Sequence, residues 1–127
     1  MNQQADTTFE EIQELIRKHL EERDWMSSPS RGLAISIVLE ASELLEHYQW
    51  QDEPVGDKQA LAEELADILI YAFQFALKNG IDIPAAIKQK LAKSAQKYPA
   101  EMFKGKSGKE MQAAWIDAKL QHKKEGL

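Results

Sequence analysis

Two short acidic motifs are the residues in this sequence best suited to do chemistry. Glu40 and Glu43 form the first pair, Glu64 and Asp67 form the second, and the acids of each pair lie three positions apart. Each pair lies in an apolar stretch without proline or glycine, which predicts a helix, and residues three apart on a helix share a face. If the two helices pack together, four carboxylates converge and cannot all stay ionised without a counter-charge. The motifs therefore predict a cation site.

The ligand type narrows the choice of cation. Only carboxylate oxygens are offered, which favours hard cations such as Mg²⁺ or Mn²⁺ over zinc. A di-iron bundle would need Glu-x-x-His pairs, and no histidine of this chain follows a glutamate by three positions. We therefore expect Mg²⁺, with Mn²⁺ as the alternative. Acidic pairs are also common on solvated helix edges, and the motifs alone leave that second interpretation open.

Helical periodicity and turn residues predict five helices and no strand. Thr8 begins a capping-box pattern ahead of the first helix, and Ser28 or Ser30 is predicted to cap the second. Gly80 is predicted to end the third helix and Asp82 to cap the fourth. The fold class is therefore all-α, an antiparallel bundle of four to five helices with short loops. The predicted helices span about residues 9–24, 31–48, 57–79, 85–97 and 110–124.

The second half of the predicted third helix is apolar almost all round. Leu69, Ile70, Phe73 and Leu77 add to the apolar face that the rest of the helix already carries. A helix of this kind must be covered on several sides. In a chain of 127 residues, we expect a second subunit to provide that cover.

Composition limits the class of protein. A length of 127 residues predicts one domain over 1–127, with 1–7 and 120–127 expected to be flexible. The absence of cysteine excludes a disulfide framework and a thiol nucleophile. The net charge of −5 argues against nucleic-acid binding. No apolar signal segment or membrane span is visible, so we expect a soluble cytoplasmic protein without membrane contact.

Several other side chains leave two interpretations open. Trp25 and Trp50 lie beside loops, where they either pack in the core or stack on a flat ring such as a nucleobase. His47 is either a polar residue at a helix edge or an acid or base. The basic segment 104–109 contains Gly105, Lys106 and Ser107 but lacks the earlier glycine and the preceding strand of a Walker loop, so we interpret it as a flexible loop.

The acidic motifs and their spacing resemble a known family. Two acidic pairs separated by 20 residues resemble the signature of the all-α nucleoside triphosphate pyrophosphohydrolases, the MazG-like group. Further segments resemble the dCTP pyrophosphatase branch of that group, and the resemblance covers roughly residues 9–108. These segments are 22–25, 48–50, 63–71, 97–99 and 104–107.

The resemblance implies a helical bundle assembled as an intertwined dimer, often paired into a tetramer. It implies Mg²⁺-dependent cleavage of a nucleoside triphosphate between the α and β phosphorus atoms, with dCTP or a related or modified deoxynucleotide as substrate. The purpose would be removal of unwanted nucleotides. The alternative class is a non-enzymatic helical dimer with a solvated acidic rim.

The resemblance also assigns residues. Glu40, Glu43, Glu64 and Asp67 match the Mg²⁺ ligands and are the expected catalytic residues. Ile16 stands where the branch has a histidine near the base, and His19 is out of register with it. The expected substrate-binding residues are those that match base, sugar and phosphate positions, with Ser94 in place of an asparagine: Trp25, Trp50, Tyr71, Lys90 and Ser94.

Overall fold

The computed structural model describes residues 6–125 of the chain. These residues form helices and connecting turns and contain no strand, which confirms the predicted fold class. A four-residue helix that was not predicted, α5, brings the number to six. The helices are α1 (Phe9–Glu21), α2 (Ser30–Glu46), α3 (Lys58–Asn79), α4 (Ile83–Lys97), α5 (Ala100–Phe103) and α6 (Gly108–Lys124).

Helix α1 begins directly after Thr8, its predicted N-cap, and ends earlier than the sequence predicted. The Thr8 hydroxyl accepts a hydrogen bond of 3.1 Å from the Glu11 N–H, which satisfies a donor that the first turn leaves free. At the other end, Asp24 has a φ of 56° and the Trp25 N–H donates to the Leu20 carbonyl at 2.9 Å. A left-handed residue followed by this bond closes a helix, so the predicted end at residue 24 was wrong.

Helix α2 begins without the predicted serine cap. Pro29 stands at the N-cap position, and no side chain caps the helix there. The Ser28 hydroxyl instead donates to the Trp25 carbonyl at 3.2 Å, and the Ser30 hydroxyl donates to Oδ1 of Asn79 at 3.2 Å. Ser28 therefore stabilises the loop before α2, and Ser30 connects the start of α2 to the end of α3. The helix also ends at Glu46, two residues before the predicted end at 48.

Helix α3 carries clear signals at both ends. Asp57 accepts a hydrogen bond of 2.9 Å from the Ala60 N–H at its start. Gly80 follows its end with a φ of 65°, and the Ile81 N–H donates to the Ala76 carbonyl at 2.9 Å. The left-handed conformation is one that glycine adopts without strain, so the prediction for Gly80 is confirmed.

The chain divides into two compact units between Ile81 and Asp82. In the first unit, α3 packs against α2 along much of its length and against α1, where Phe9 stacks on Phe73 at 4.9 Å between ring centroids. Its buried side chains include Leu20, Leu33, Gln74 and Ala76.

The second unit holds α4 to α6. Asp82 caps α4 by accepting from the Ala85 N–H at 3.0 Å, as predicted, although the helix begins at Ile83 rather than at residue 85. Tyr98 stacks on Trp115 with 6.2 Å between ring centroids. Helix α6 begins at Gly108, so only residues 104–107 of the predicted basic loop connect helices, and 120–124 of the predicted flexible C-terminus are helical. Residues 1–5 and 126–127 of the predicted flexible ends lie outside the described residues.

Large apolar side chains remain exposed on both helices of the α2–α3 pair. Val38 and Leu45 on α2 are 67% and 64% exposed, and Leu65 and Leu69 on α3 are about half exposed. A surface of this kind is typical of a face that meets another molecule. The expected second subunit stays a prediction. Within residues 6–125, no helix combines the length and apolar composition needed to cross a membrane.

Candidate functional site

Helices α2 and α3 bring the two acidic motifs together. One carboxylate oxygen from each of Glu40, Glu43, Glu64 and Asp67 lies within 4.8 Å of the others. Glu40 and Glu64 are half-buried, whereas Glu43 and Asp67 are exposed. Each helix contributes two acids because residues three apart share a face. The cluster therefore forms because the acids of each pair lie three positions apart and because α2 packs against α3.

The electrostatics of the cluster resist full ionisation. Partial removal from water raises the pKa of Glu40, and the neighbouring carboxylates of Glu43, Asp67 and Glu64 raise it further. Removal from water also raises the pKa of Glu64, with Glu43 adding to the rise and His47 opposing it. Like charges and loss of solvent both favour the protonated form. A cation bound among the four carboxylates would instead favour their ionised form.

The donor set fits a hard divalent cation. Oε2 of Glu64 is buried and receives no hydrogen bond from any residue between 6 and 125. A buried carboxylate oxygen without a donor is costly unless a cation lies against it. The four groups offer oxygen atoms only, as Mg²⁺ and Mn²⁺ prefer. The residues present therefore suit such an ion.

His47 approaches the cluster from the end of α2, a contact that sequence reasoning did not identify. Its Nδ1 accepts a hydrogen bond of 3.1 Å from the Gly56 N–H, and its Nε2 lies 3.7 Å from Oε1 of Glu64. The signal in the sequence is its spacing, since His47 follows Glu43 by four residues as Tyr71 follows Asp67. Residues four apart lie on the same side of a helix.

Trp25 lies in the turn after α1 and is 53% exposed, so it is not a core residue. Its carbonyl accepts a hydrogen bond of 2.9 Å from the side-chain amide of Gln74 on α3. The His19 ring meets the Trp25 ring edge-on at 6.0 Å, although His19 is out of register with the histidine of the branch. Neither Gln74 nor His19 was among the candidate residues. Their contacts depend on how the turn lies against α3 and α1.

The remaining candidates of the first unit lie on or beside the same helices. Trp50 is 87% exposed and belongs to the segment between α2 and α3, so it is not packed in the core either. Tyr71 is half-buried on α3, one turn after Asp67. An exposed aromatic ring is free to stack on another flat group.

Lys90 and Ser94 belong to α4 in the second unit. Both line a cavity of about 420 Å³. Two further lysines, Lys93 and Lys97, add positive charge to its lining. The other lining residues are Gln96, Tyr98 and His122. A cavity with three lysines attracts anions.

Comparison with known proteins extends these findings. The model of the MazG-like family matches residues 35–112. Curated relatives include dCTP pyrophosphatase 1 of Mus musculus, 33% identical over 82% of this chain and 66% of that protein. The proteins of the same name from Bos taurus and Homo sapiens are each 34% identical, over 83% and 82% of this chain and 68% and 66% of their own lengths.

The chain thus spans about two thirds of the length of these relatives. The family match runs from α2 to the start of α6 and contains both acidic motifs. Because that match covers more than half of the chain and the relatives are aligned over most of it, the chain belongs to the MazG-like family.

Proposed function

We propose that this protein is a metal-dependent nucleoside triphosphate pyrophosphohydrolase. It cleaves the bond between the α and β phosphoryl groups and releases a nucleoside monophosphate and pyrophosphate. The observation that carries the proposal is the convergence of four carboxylates from α2 and α3 within 4.8 Å. The relatives named dCTP pyrophosphatase 1 support dCTP, or a related or modified deoxynucleotide, as the substrate.

Glu40, Glu43, Glu64 and Asp67 would hold the cation and are the proposed catalytic residues. Oε2 of Glu64 supports this assignment, because it has a lone pair to offer and receives no hydrogen bond from residues 6–125. We propose Mg²⁺, with Mn²⁺ as the alternative, since both prefer oxygen ligands. When bound, such an ion neutralises phosphate charge and makes a nearby water more acidic.

The substrate would be held by aromatic rings and basic side chains. Trp25 and Trp50 present exposed rings, and stacking of a base on such a ring contributes ~1–3 kcal/mol. Tyr71 would contact the base or sugar. Lys90 and Ser94, which line the basic cavity of the second unit, would contact phosphate.

We also propose that the protein is a homo-oligomer, a dimer or a tetramer built from dimers, and acts in the cytoplasm without nucleic acid. The exposed apolar residues of α2 and α3 support an interface. The net charge of −5 is unfavourable for a nucleic-acid surface.

The test is to incubate the protein with dCTP, dUTP and dATP, with and without Mg²⁺, and to identify the released phosphate species. Pyrophosphate and the nucleoside monophosphate are expected. Release of orthophosphate would overturn the proposed cleavage position. No turnover of any nucleotide would overturn the proposal as a whole and favour the non-enzymatic helical dimer. A thermal shift with Mg²⁺ and a non-hydrolysable nucleotide checks binding separately, since a ligand of the folded state raises its melting temperature.

A further inference from the structure

His47 connects the turn after α2 to the acidic cluster. It is the C-cap residue of α2, and the segment that follows folds back onto it. The Val55 N–H donates to the His47 carbonyl at 2.9 Å, and the Gly56 N–H donates to Nδ1 of the imidazole at 3.1 Å. Val55 therefore holds the backbone of His47, and the next residue, Gly56, holds its ring.

These bonds fix which ring nitrogen carries the proton. A backbone N–H can only donate, so Nδ1 must accept and has no proton of its own. In the neutral imidazole the proton then lies on Nε2. Nε2 lies 3.7 Å from Oε1 of Glu64, which is longer than a direct hydrogen bond but close enough for an N–H dipole to orient the carboxylate. The side chains are only 14% and 23% exposed, so water screens the contact weakly.

The His47 ring occupies the space that a side chain at position 56 would need. A Cβ at position 56 would lie 2.6 Å from Cε1 of His47 and 2.9 Å from the Cβ of Ala60. Carbon atoms do not approach that closely without displacement. The imidazole thus rests directly on the Gly56 backbone. Any side chain at this position must displace the ring or the turn.

We infer that His47 is a positioning residue that orients the Glu64 carboxylate for the cation, with Gly56 holding His47 in place. The imidazole faces Oε1 of Glu64, and Oε2 is buried without a donor in the described part of the chain. Holding one oxygen leaves the other fixed and available as a ligand, which is how groups behind metal ligands commonly act. The inference rests on the cation site of the proposed function.

Two substitutions at His47 separate this role from support of the turn. In His47→Asn, the side-chain oxygen replaces Nδ1 and can still accept from Gly56, but nothing replaces Nε2. In His47→Gln, the side-chain amide reaches the Nε2 position and can still donate toward Glu64, but the acceptor for Gly56 is lost. The first variant therefore keeps the turn contact, and the second keeps the Glu64 contact.

The measurement is Mn²⁺ binding without nucleotide, by electron paramagnetic resonance of the free ion and by titration calorimetry. We expect His47→Asn to weaken Mn²⁺ binding by about 10–100-fold. His47→Gln should weaken it clearly less, because it keeps the donor toward Glu64 and loses only the bond that holds the side chain to Gly56. Gly56→Ala should weaken binding as His47→Asn does, because its Cβ displaces the ring. Circular dichroism and thermal unfolding check that each variant is folded.

If His47 served only to support the turn, His47→Gln would bind Mn²⁺ more weakly than His47→Asn, and the inference would be overturned. Equal Mn²⁺ affinities of the two variants would overturn it as well. Absence of Mn²⁺ binding in the wild type would overturn it as well. A wild type that binds Mn²⁺ but hydrolyses no nucleotide would overturn the proposed function and leave this inference standing. Full hydrolytic activity of the wild type together with unchanged Mn²⁺ affinity in His47→Asn would overturn this inference and leave the proposed function standing.

Discussion

The side-chain amide of Gln74 donates a hydrogen bond of 2.9 Å to the backbone carbonyl of Trp25, 49 positions earlier in the chain. Gln74 is 6% exposed and is the one polar residue that is buried among residues 6–125. The same helix carries Glu64 and Asp67. Helix α3 thus positions both the acidic cluster and the turn that presents the Trp25 ring.

Replacing Gln74 by leucine should loosen that turn. The side-chain volume is nearly kept, but the part-buried hydrogen bond to the Trp25 carbonyl is lost, which costs about 0.5–1.5 kcal/mol. Urea unfolding measures this loss. We expect KM for dCTP to rise while kcat changes little, because the cluster is intact. Gln121→Leu is the control, since Gln121 is exposed and its side chain donates to the exposed Glu125 rather than to a backbone carbonyl.

Asp67→Asn should separate activity from stability. The variant removes one proposed ligand, and we expect turnover to fall by more than about 100-fold, since even groups behind the ligands cost 10–100-fold. Unfolding of the metal-free protein should become no easier, because one of four mutually repelling acids is gone. Asp117→Asn makes the same change of charge on an exposed part of α6 and should alter neither property. Retained turnover in Asp67→Asn would contradict the ligand assignment.

The stability of the metal-free protein should depend on the acids of the cluster. Folding raises the pKa of Glu40 and Glu64 above the ordinary value of 4.5. The folded state therefore binds these protons more tightly than the unfolded state, and their contribution to stability is fully present below pH 4.5 and lost as pH rises through the raised values.

The measurement is the free energy of unfolding of the wild type and of Glu64→Gln at successive pH values. We expect Glu64→Gln to gain stability relative to the wild type as pH rises above 4.5. Saturating Mn²⁺ should remove this gain, since the ion favours the ionised carboxylate. A difference that does not vary with pH would be evidence against the coupling.

Two glycines provide a matched test of the helix boundaries. Gly80 has a φ of 65°, and Gly80→Ala should lower the free energy of unfolding by about 1–2 kcal/mol because a Cβ is strained there. Gly32 lies within α2 with open space around its missing Cβ. Gly32→Ala should therefore raise stability by roughly 0.5–1 kcal/mol. Thermal and urea unfolding distinguish the two, and equal effects would contradict the assigned end of α3.

Trp50→Leu should affect binding rather than folding. The side chain is 87% exposed, so its removal leaves no cavity. If Trp50 stacks on the base, nucleotide affinity should weaken by ~1–3 kcal/mol, as measured by calorimetry with a non-hydrolysable nucleotide. Val55→Ala is the control, since Val55 is 76% exposed in the same segment. Unchanged affinity in Trp50→Leu would remove this residue from the substrate site.

The parts of the structure that could be predicted are those set by local spacing. The acids of each motif lie three apart, and Thr8, Gly80 and Asp82 act on helix ends within a few residues of themselves. Such contacts depend on the backbone conformation of one element. The capping contacts and the spacing of the acids can therefore be predicted from the sequence directly.

The parts that could not be predicted depend on how separate segments meet. The end of α1 follows from the left-handed conformation of Asp24, which tolerates αL but does not require it. Ser30 bonds to Asn79 rather than capping α2. The His47 ring accepts a hydrogen bond from Gly56 because the segment between α2 and α3 folds back onto α2. Neither residue by itself predicts the course of that segment.

The close approach of Gly56 to His47 also limits how this chain can vary. A Cβ at position 56 would crowd the His47 imidazole and the Cβ of Ala60, and a smaller residue at position 47 removes the first of these two obstacles. The two substitutions together should therefore cost less than the sum of their separate effects, as is usual for residues in contact. The His47 imidazole and the Ala60 Cβ both favour glycine at position 56, so natural variation at position 56 should depend in part on the residue at position 47.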